Sequence, residues 1–161
     1  MGSQSNKKTA YAYIAGFLDG DGSLMLQIKK RSDTVYGLRT MVTICFYQDT
    51  RRKKPLLWIR KIFGVGYISN RKDGMTELRI NGFMQVRQIL EVLQPYILFK
   101  QMQAQILIKA CRLLENNTLG KLTKKQKESL IDYICSIQQE NYRSSKRRTK
   151  TDLKKLLGLT P

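Results

Sequence analysis

Histidine is absent from all 161 residues. That removes Ser-His-Asp hydrolysis, His-ligated zinc and nucleases built on a histidine base. Any hydrolysis here must rely on carboxylates, Lys, Gln and a metal. Cysteine is scarce. Cys45, Cys111 and Cys135 are odd in number, widely spaced and free of any Cys-x-x-Cys pair. They read as buried thiols of a reducing compartment. No run of about 18 apolar residues exists, so nothing is read as crossing a bilayer. Residues 1–8 are polar, without the apolar core of an export signal, and are expected to be disordered. Acids are few as well. Twelve Asp and Glu against 30 Lys and Arg leave a net charge of +18. Such a field draws polyanions, with nucleic acid ahead of an anionic membrane surface.

What is present is a chain of ordinary single-domain size, 42% hydrophobic. Thr9 can cap a helix over about 10–19. Strict alternation follows: Leu24, Leu26 and Ile28 face one way, and Met25, Gln27, Lys29 and Arg31 the other. Period two means a strand with one buried face. A second strand, about 38–47, puts Val42, Ile44 and Phe46 inward and Arg39, Met41, Thr43 and Cys45 outward. Asp49 or Thr50 can cap a helix over about 52–63, where Pro55 fits only near the first turn. Its expected buried residues are Leu56, Leu57, Ile59, Ile62 and Phe63. Strands over 67–71 and 75–80 flank a Lys72-Asp73-Gly74 turn. Asn81 is expected to cap a helix over about 83–93, which Pro95 ends. Helices over about 100–114 and 124–139 follow, the latter behind a Thr123-x-x-Gln126 capping box. The expected domain covers 9–140. A basic segment, 141–161, ends in a short helix near 151–157.

Helix, two strands, helix, two strands, helices: two hairpins make one four-stranded antiparallel sheet with helices on its buried face. The expected class is α+β. The sheet's other face would carry Gln27, Lys29, Arg31, Arg39, Thr43, Ser69, Arg71, Glu77 and Arg79. Lys, Arg and Thr also suit a merely solvated face. The excess of Arg and Gln, with the whole-chain charge, favours DNA reading, since Arg pairs with guanine and Gln with adenine. Met41 and Cys45 would meet thymine methyls or nothing.

The chain is organised around Tyr13-Ile14-Ala15-Gly16-Phe17-Leu18-Asp19-Gly20-Asp21-Gly22-Ser23. Small residues at helical spacing, Ala12, Ala15 and Gly16, let two helix backbones approach closely. Two acids stand where the helix stops, at the negative end of its dipole. An Asp-Gly turn explains this without function. A counter-cation explains it too, and a hard divalent metal takes oxygen ligands. An EF-hand does not fit, because its sixth and twelfth positions would be Leu24 and Lys30.

Residues Ile14 through Gly22 resemble, position by position, the nine-residue motif of the LAGLIDADG homing endonucleases, single-motif homodimeric branch. The resemblance continues through Gln48 to Tyr67 and at Gln94-Pro95-Tyr96, with Lys100 and Gln103 beyond. It implies an αββαββα fold whose sheet is a DNA-reading saddle. It implies Asp21 as catalytic carboxylate and metal ligand, with the Gly20 carbonyl as a further ligand. Gln48, Arg52 and Lys100 match the polar positions around the scissile phosphate. Asp19 is read as a cap or support. Ala12, Ala15, Gly16 and Asp19 form the expected dimer interface, and Ser145, Lys146, Arg147 and Arg148 are expected to grip phosphates. The implied activity is Mg²⁺-dependent cutting of both strands of a long, near-palindromic double-stranded DNA site, leaving 3′ overhangs. Mn²⁺ is expected to substitute, and Ca²⁺ to bind without supporting cleavage. The resemblance also implies an intron-encoded protein of an organellar genome, chloroplast or mitochondrial. The rival readings are an RNA maturase acting on its own intron and a non-cleaving nucleic-acid-binding protein.

Overall fold

The computed structural model describes residues 2–34, 37–141 and 147–159, with side chains from Ser5 onward. Helix α1, Gly2–Asp21, opens the chain. The segment expected to be disordered through Lys8 is therefore helical from Gly2. Thr9 is no cap: its hydroxyl donates to the Ser5 carbonyl one turn back, at 3.1 Å. The helix also runs two residues past Asp19. Strand β1, Gly22–Lys30, follows directly. Gly22 makes that abrupt junction possible, because a Cβ there would stand 2.8 Å from the Leu18 carbonyl oxygen.

Strand β2 is Leu38–Asp49, β3 is Tyr67–Asn70 and β4 is Met75–Asn81. All pairings are antiparallel, in the order β1-β2-β4-β3. The inner face is the alternating set read from the sequence. Leu24 pairs with Ile44 and that with Ile80, while Phe46 pairs with Leu78. All five are fully buried. Ile14 and Leu18 of α1 pack in the same core, and the Phe17 ring lies 6.0 Å from that of Phe46.

Helix α2, Lys54–Phe63, starts two residues later than expected. The Asp49 side chain accepts the Arg51 N–H, and residues Thr50–Arg52 form a separate 3-10 turn. Pro55 then sits in the first turn of α2, and Gly64 closes it at φ 69°. Leu57 and Ile62 are exposed, against expectation; Leu56 and Ile59 alone are buried on α2. Helix α3, Phe83–Leu93, is preceded by Gly82, with no side-chain cap. Asn81 is spent elsewhere, accepting the Thr43 hydroxyl at 2.7 Å. Helix α4 is Gln101–Glu115 and α5 is Lys124–Glu140, the latter with both bonds of the Thr123–Gln126 capping box. Helix α6, Lys150–Leu156, buries Leu153. Cys45 and Cys111 are buried and Cys135 half-buried, all three as free thiols.

Phe46 joins the sheet to α1 through Phe17, so truncating it opens a cavity at the centre of the core. Phe46→Ala should cost about 3–5 kcal/mol. Urea unfolding should show a lower midpoint at an unchanged slope.

Candidate active site and nucleic-acid interface

Helix α1 ends against the start of α4. The Asp19 carboxylate accepts three consecutive backbone N–H groups, from Leu98 at 2.7 Å, Phe99 at 3.2 Å and Lys100 at 2.9 Å. The Lys100 ammonium donates back to the Asp19 carbonyl. The acid at the negative end of α1 is thus offset by the N–H groups of the turn that leads into α4. Its counter-charge is the protein's own. This also turns Asp19 into its own chain and away from the surface where a partner was expected.

Asp21 is different. It is exposed at the last position of α1, and its carboxylate accepts no hydrogen bond from the described residues. Lys100 is close enough for the Asp21 carboxylate to act on it. Burial pushes the Lys100 ammonium below the ordinary lysine value, while the carboxylates of Asp19 and Asp21 oppose that shift. Gln48 lies on β2 two residues past Phe46, the partner of Gly22, so it stands at the same end of the sheet as Asp21. Its side-chain oxygen accepts the Asp49 N–H at 2.9 Å. Arg52, exposed, follows in the 3-10 turn at that same end. Asp21, Gln48 and Arg52 thus lie toward one end of the sheet, with Lys100 coupled to Asp21.

The donors at the end of α1 are oxygens: the Asp21 carboxylate and the unpaired carbonyls of a last helical turn, Gly20 among them. A hard divalent cation suits that set. Among the described residues no three of His, Cys, Asp and Glu gather into one group. One chain therefore offers one carboxylate.

The outer sheet face is less open than alternation suggested. Gln27, Lys29 and Arg39 are exposed and make no side-chain hydrogen bond with the described residues. Arg31 lies just beyond β1 in an ion pair with Asp33 at 2.8 Å. Arg71 lies in the β3–β4 turn, paired with Asp73 at 2.7 Å. Ser69 is half-buried. Two expected readers are buried: Thr43 in its bond to Asn81, and Glu77 beneath Arg79. The reading missed Ser23, Tyr47 and Tyr67 on this face. Tyr47 and Ser23 bond to each other through their hydroxyls at 3.1 Å. Carrying the outward series Arg39, Met41, Thr43, Cys45 one step further would have placed Tyr47 on this face.

The basic segment is partly structural. Arg148 donates to the Ile28 carbonyl at 2.6 Å, and the Asn141 side chain to the Leu24 carbonyl at 3.0 Å. Arg148 is thus tied to β1 and only half-exposed. Arg147 is exposed, with one bond to the Asn141 carbonyl. Ser145 and Lys146 lie outside the described residues.

On α1, Ala12 and Gly16 are exposed, and a side chain on Gly16 would meet nothing within 4 Å. Ala15 corrects the expected interface. It is fully buried in this chain's own core, so its small size serves packing within the subunit. Large apolar side chains flank the exposed stripe. The Tyr13 ring meets Trp58 of α2 edge-on at 5.6 Å. Leu98 and Phe99, held by Asp19, are 77% and 83% exposed.

A family model described as LAGLIDADG endonuclease matches residues 14–111. The DNA endonuclease I-CvuI of Chlorella vulgaris is 36% identical over 106 residues, 66% of each chain. The DNA endonuclease I-CreI of Chlamydomonas reinhardtii is 32% identical over 97 residues, 60% of this chain and 59% of that one. The chain thus aligns with less than two thirds of the length of these curated relatives. A crystal structure of I-CvuI in complex with the I-CreI target superposes with a TM-score of 0.81 at 26% identity, covering 95% of both chains. An archaeal intron-encoded homing endonuclease, I-Vdi141I complexed with DNA, shares the fold at a TM-score of 0.79 and 17% identity.

Asp19→Ala removes one carboxylate from three N–H groups, two of them solvent-exposed. It should cost on the order of 1–3 kcal/mol, read from thermal unfolding. Amide exchange at Leu98, Phe99 and Lys100 should accelerate most.

Proposed function

The chain belongs to the LAGLIDADG endonuclease family, and from that premise we propose a homodimeric, divalent-metal-dependent endonuclease. It binds double-stranded DNA on its sheet and cuts both strands of one long, near-palindromic site, leaving 3′ overhangs. The observation that carries this is the Asp21 carboxylate. It is exposed at a helix end without a described protein partner, beside Lys100 and at one end of a basic sheet face.

A phosphodiester resists water because the attacked phosphate is anionic. Asp21 and the Gly20 carbonyl would hold Mg²⁺, which neutralises that charge and polarises the phosphoryl oxygen when bound. Mn²⁺ would replace it, and Ca²⁺ would bind without supporting cleavage. Gln48 would orient a water with its amide NH₂, which donates to none of the described residues, while its carbonyl is taken by the Asp49 N–H. Lys100 and Arg52 stabilise the charge that develops on the phosphate. Lys100 is held for this by its bond to the Asp19 carbonyl. Outside the site, Gln27, Lys29, Arg39 and Arg79 read bases, and Arg147, with Lys146, grips phosphates.

One carboxylate is a poor cage, and two chains related by symmetry supply two. The stripe of Ala12, Gly16 and Gly20 allows a partner helix to approach, and Tyr13, Trp58, Leu98 and Phe99 supply apolar area around it. An organellar intron as the source belongs to the same proposal.

Gly16→Leu should fold normally, because the chain leaves that position open and Leu favours a helix. Sedimentation should then find a monomer, and cleavage should vanish. A monomer that still cuts duplex DNA defeats the dimer reading.

Asp21→Asn keeps shape and removes the charge that retains metal. It should dimerise and bind DNA at least as well as the unaltered chain, and cut neither strand. Wild-type cleavage should require Mg²⁺ and stop with EDTA. Gel shift and plasmid cleavage on the same preparations decide it. Normal cutting by Asp21→Asn, or lost cutting wholly explained by lost binding, would falsify the assignment.

A further inference from the structure

Glu77 is the anomaly of the outer face. In the register of β4 it stands between Tyr47 and Ser69, on the side that carries Gln27, Lys29 and Arg39. A carboxylate there repels DNA phosphate, yet it is only 6% exposed, which is costly for a charge without partners. It has several. Its Oε1 accepts the Arg79 Nε–H at 2.6 Å, and its Oε2 accepts from Arg79 Nη2 at 3.3 Å. The Cys45 thiol donates to Oε2 at 3.9 Å, and Arg71 Nη1 lies 4.0 Å from it.

The atoms matter. An arginine carries five N–H donors in a rigid fork. Glu77 takes the Nε–H and one N–H of Nη2. The outer edge remains, two N–H on Nη1 and one on Nη2. A parallel pair from that edge is what engages O6 and N7 of guanine in the major groove. An arginine without a partner would swing among rotamers and settle on any phosphate.

We infer that Glu77 is a positioning residue for sequence reading: it fixes Arg79 so that the outer guanidinium edge meets one guanine, and it keeps Arg79 off the phosphates. This rests on the sheet-face reading above. It differs from a simple charge effect, because loss of Glu77 should then cost discrimination at one base position rather than change affinity evenly.

The experiment is selection of bound duplexes from a randomised library, with the wild type, Glu77→Gln, Arg79→Ala and the double variant. Wild type should require guanine at one position of each half-site. Arg79→Ala should lose that requirement. Glu77→Gln should relax it about tenfold at the same position alone, while binding to random DNA tightens and its salt dependence steepens. The double variant should match Arg79→Ala. Arg79→Lys gives an independent reading if Glu77→Gln folds poorly. It keeps the charge, lacks the fork, and should lose the guanine preference at similar overall affinity. Guanine preference kept by Glu77→Gln or by Arg79→Lys, while Arg79→Ala loses it, overturns the role of Glu77. Relaxation at many positions at once overturns it as well, marking general loss of sheet order. If Arg79→Ala alters no position, the sheet-face reading at this site fails, and the inference falls with it.

Discussion

Three backbone N–H groups converge on the Asp19 carboxylate, and much of the molecule is arranged by that contact. It joins the last turn of α1 to the turn that leads into α4. A carboxylate at the carbonyl end of a helix is electrostatically unfavourable, and the three N–H groups of the turn before α4 offset that cost. Lys100 is drawn in by the Asp19 carbonyl. Leu98 and Phe99 are presented outward by the same three bonds. The contact thus sets both the cation beside Asp21 and the apolar side chains beside the exposed stripe of α1.

The two acids of the motif therefore divide their work. Asp19 is satisfied within the fold, and Asp21 is left available. The same division recurs across the charged surface. Several acids are consumed in local pairs with arginine, as in Asp33 with Arg31, Asp49 with Arg51 and Asp73 with Arg71. The exposed pairs hold turns in shape and add little stability. What they leave is a sheet face whose exposed cations, Lys29 and Arg39, stand near one end of β1 and β2.

Periodicity made the layers legible. Leu24, Leu26 and Ile28 alternate so strictly that one strand and its buried face followed from sequence alone, and Thr123 with Gln126 marked the start of α5. Depth was not legible. Alternation put Thr43 and Glu77 on the outer face correctly, but their burial depends on Asn81 and Arg79, which approach through strand pairing. Asn81 looked like a helix cap because the competing claim, the Thr43 hydroxyl, lies 38 residues away. Leu57 and Ile62 looked like core because an apolar helical position does not reveal whose surface covers it. Ala15 erred the opposite way: a small residue signals close approach, and the approach is within its own core. The place of Asp21 at the end of α1 was legible, because the motif and the helix stop together. The partners of Asp19, about 80 residues on, were not.

The two margins of the sheet are closed by different means. At one margin, β3 is only four residues long, too short to template another strand. At the other, β1 is nine residues long and would offer a row of bare carbonyls. Asn141 and Arg148 cover two of them, Leu24 and Ile28. The basic segment thereby acts as a selvedge, guarding against ribbon-like association of sheets. Growth of the sheet edge to edge is thereby discouraged on both sides.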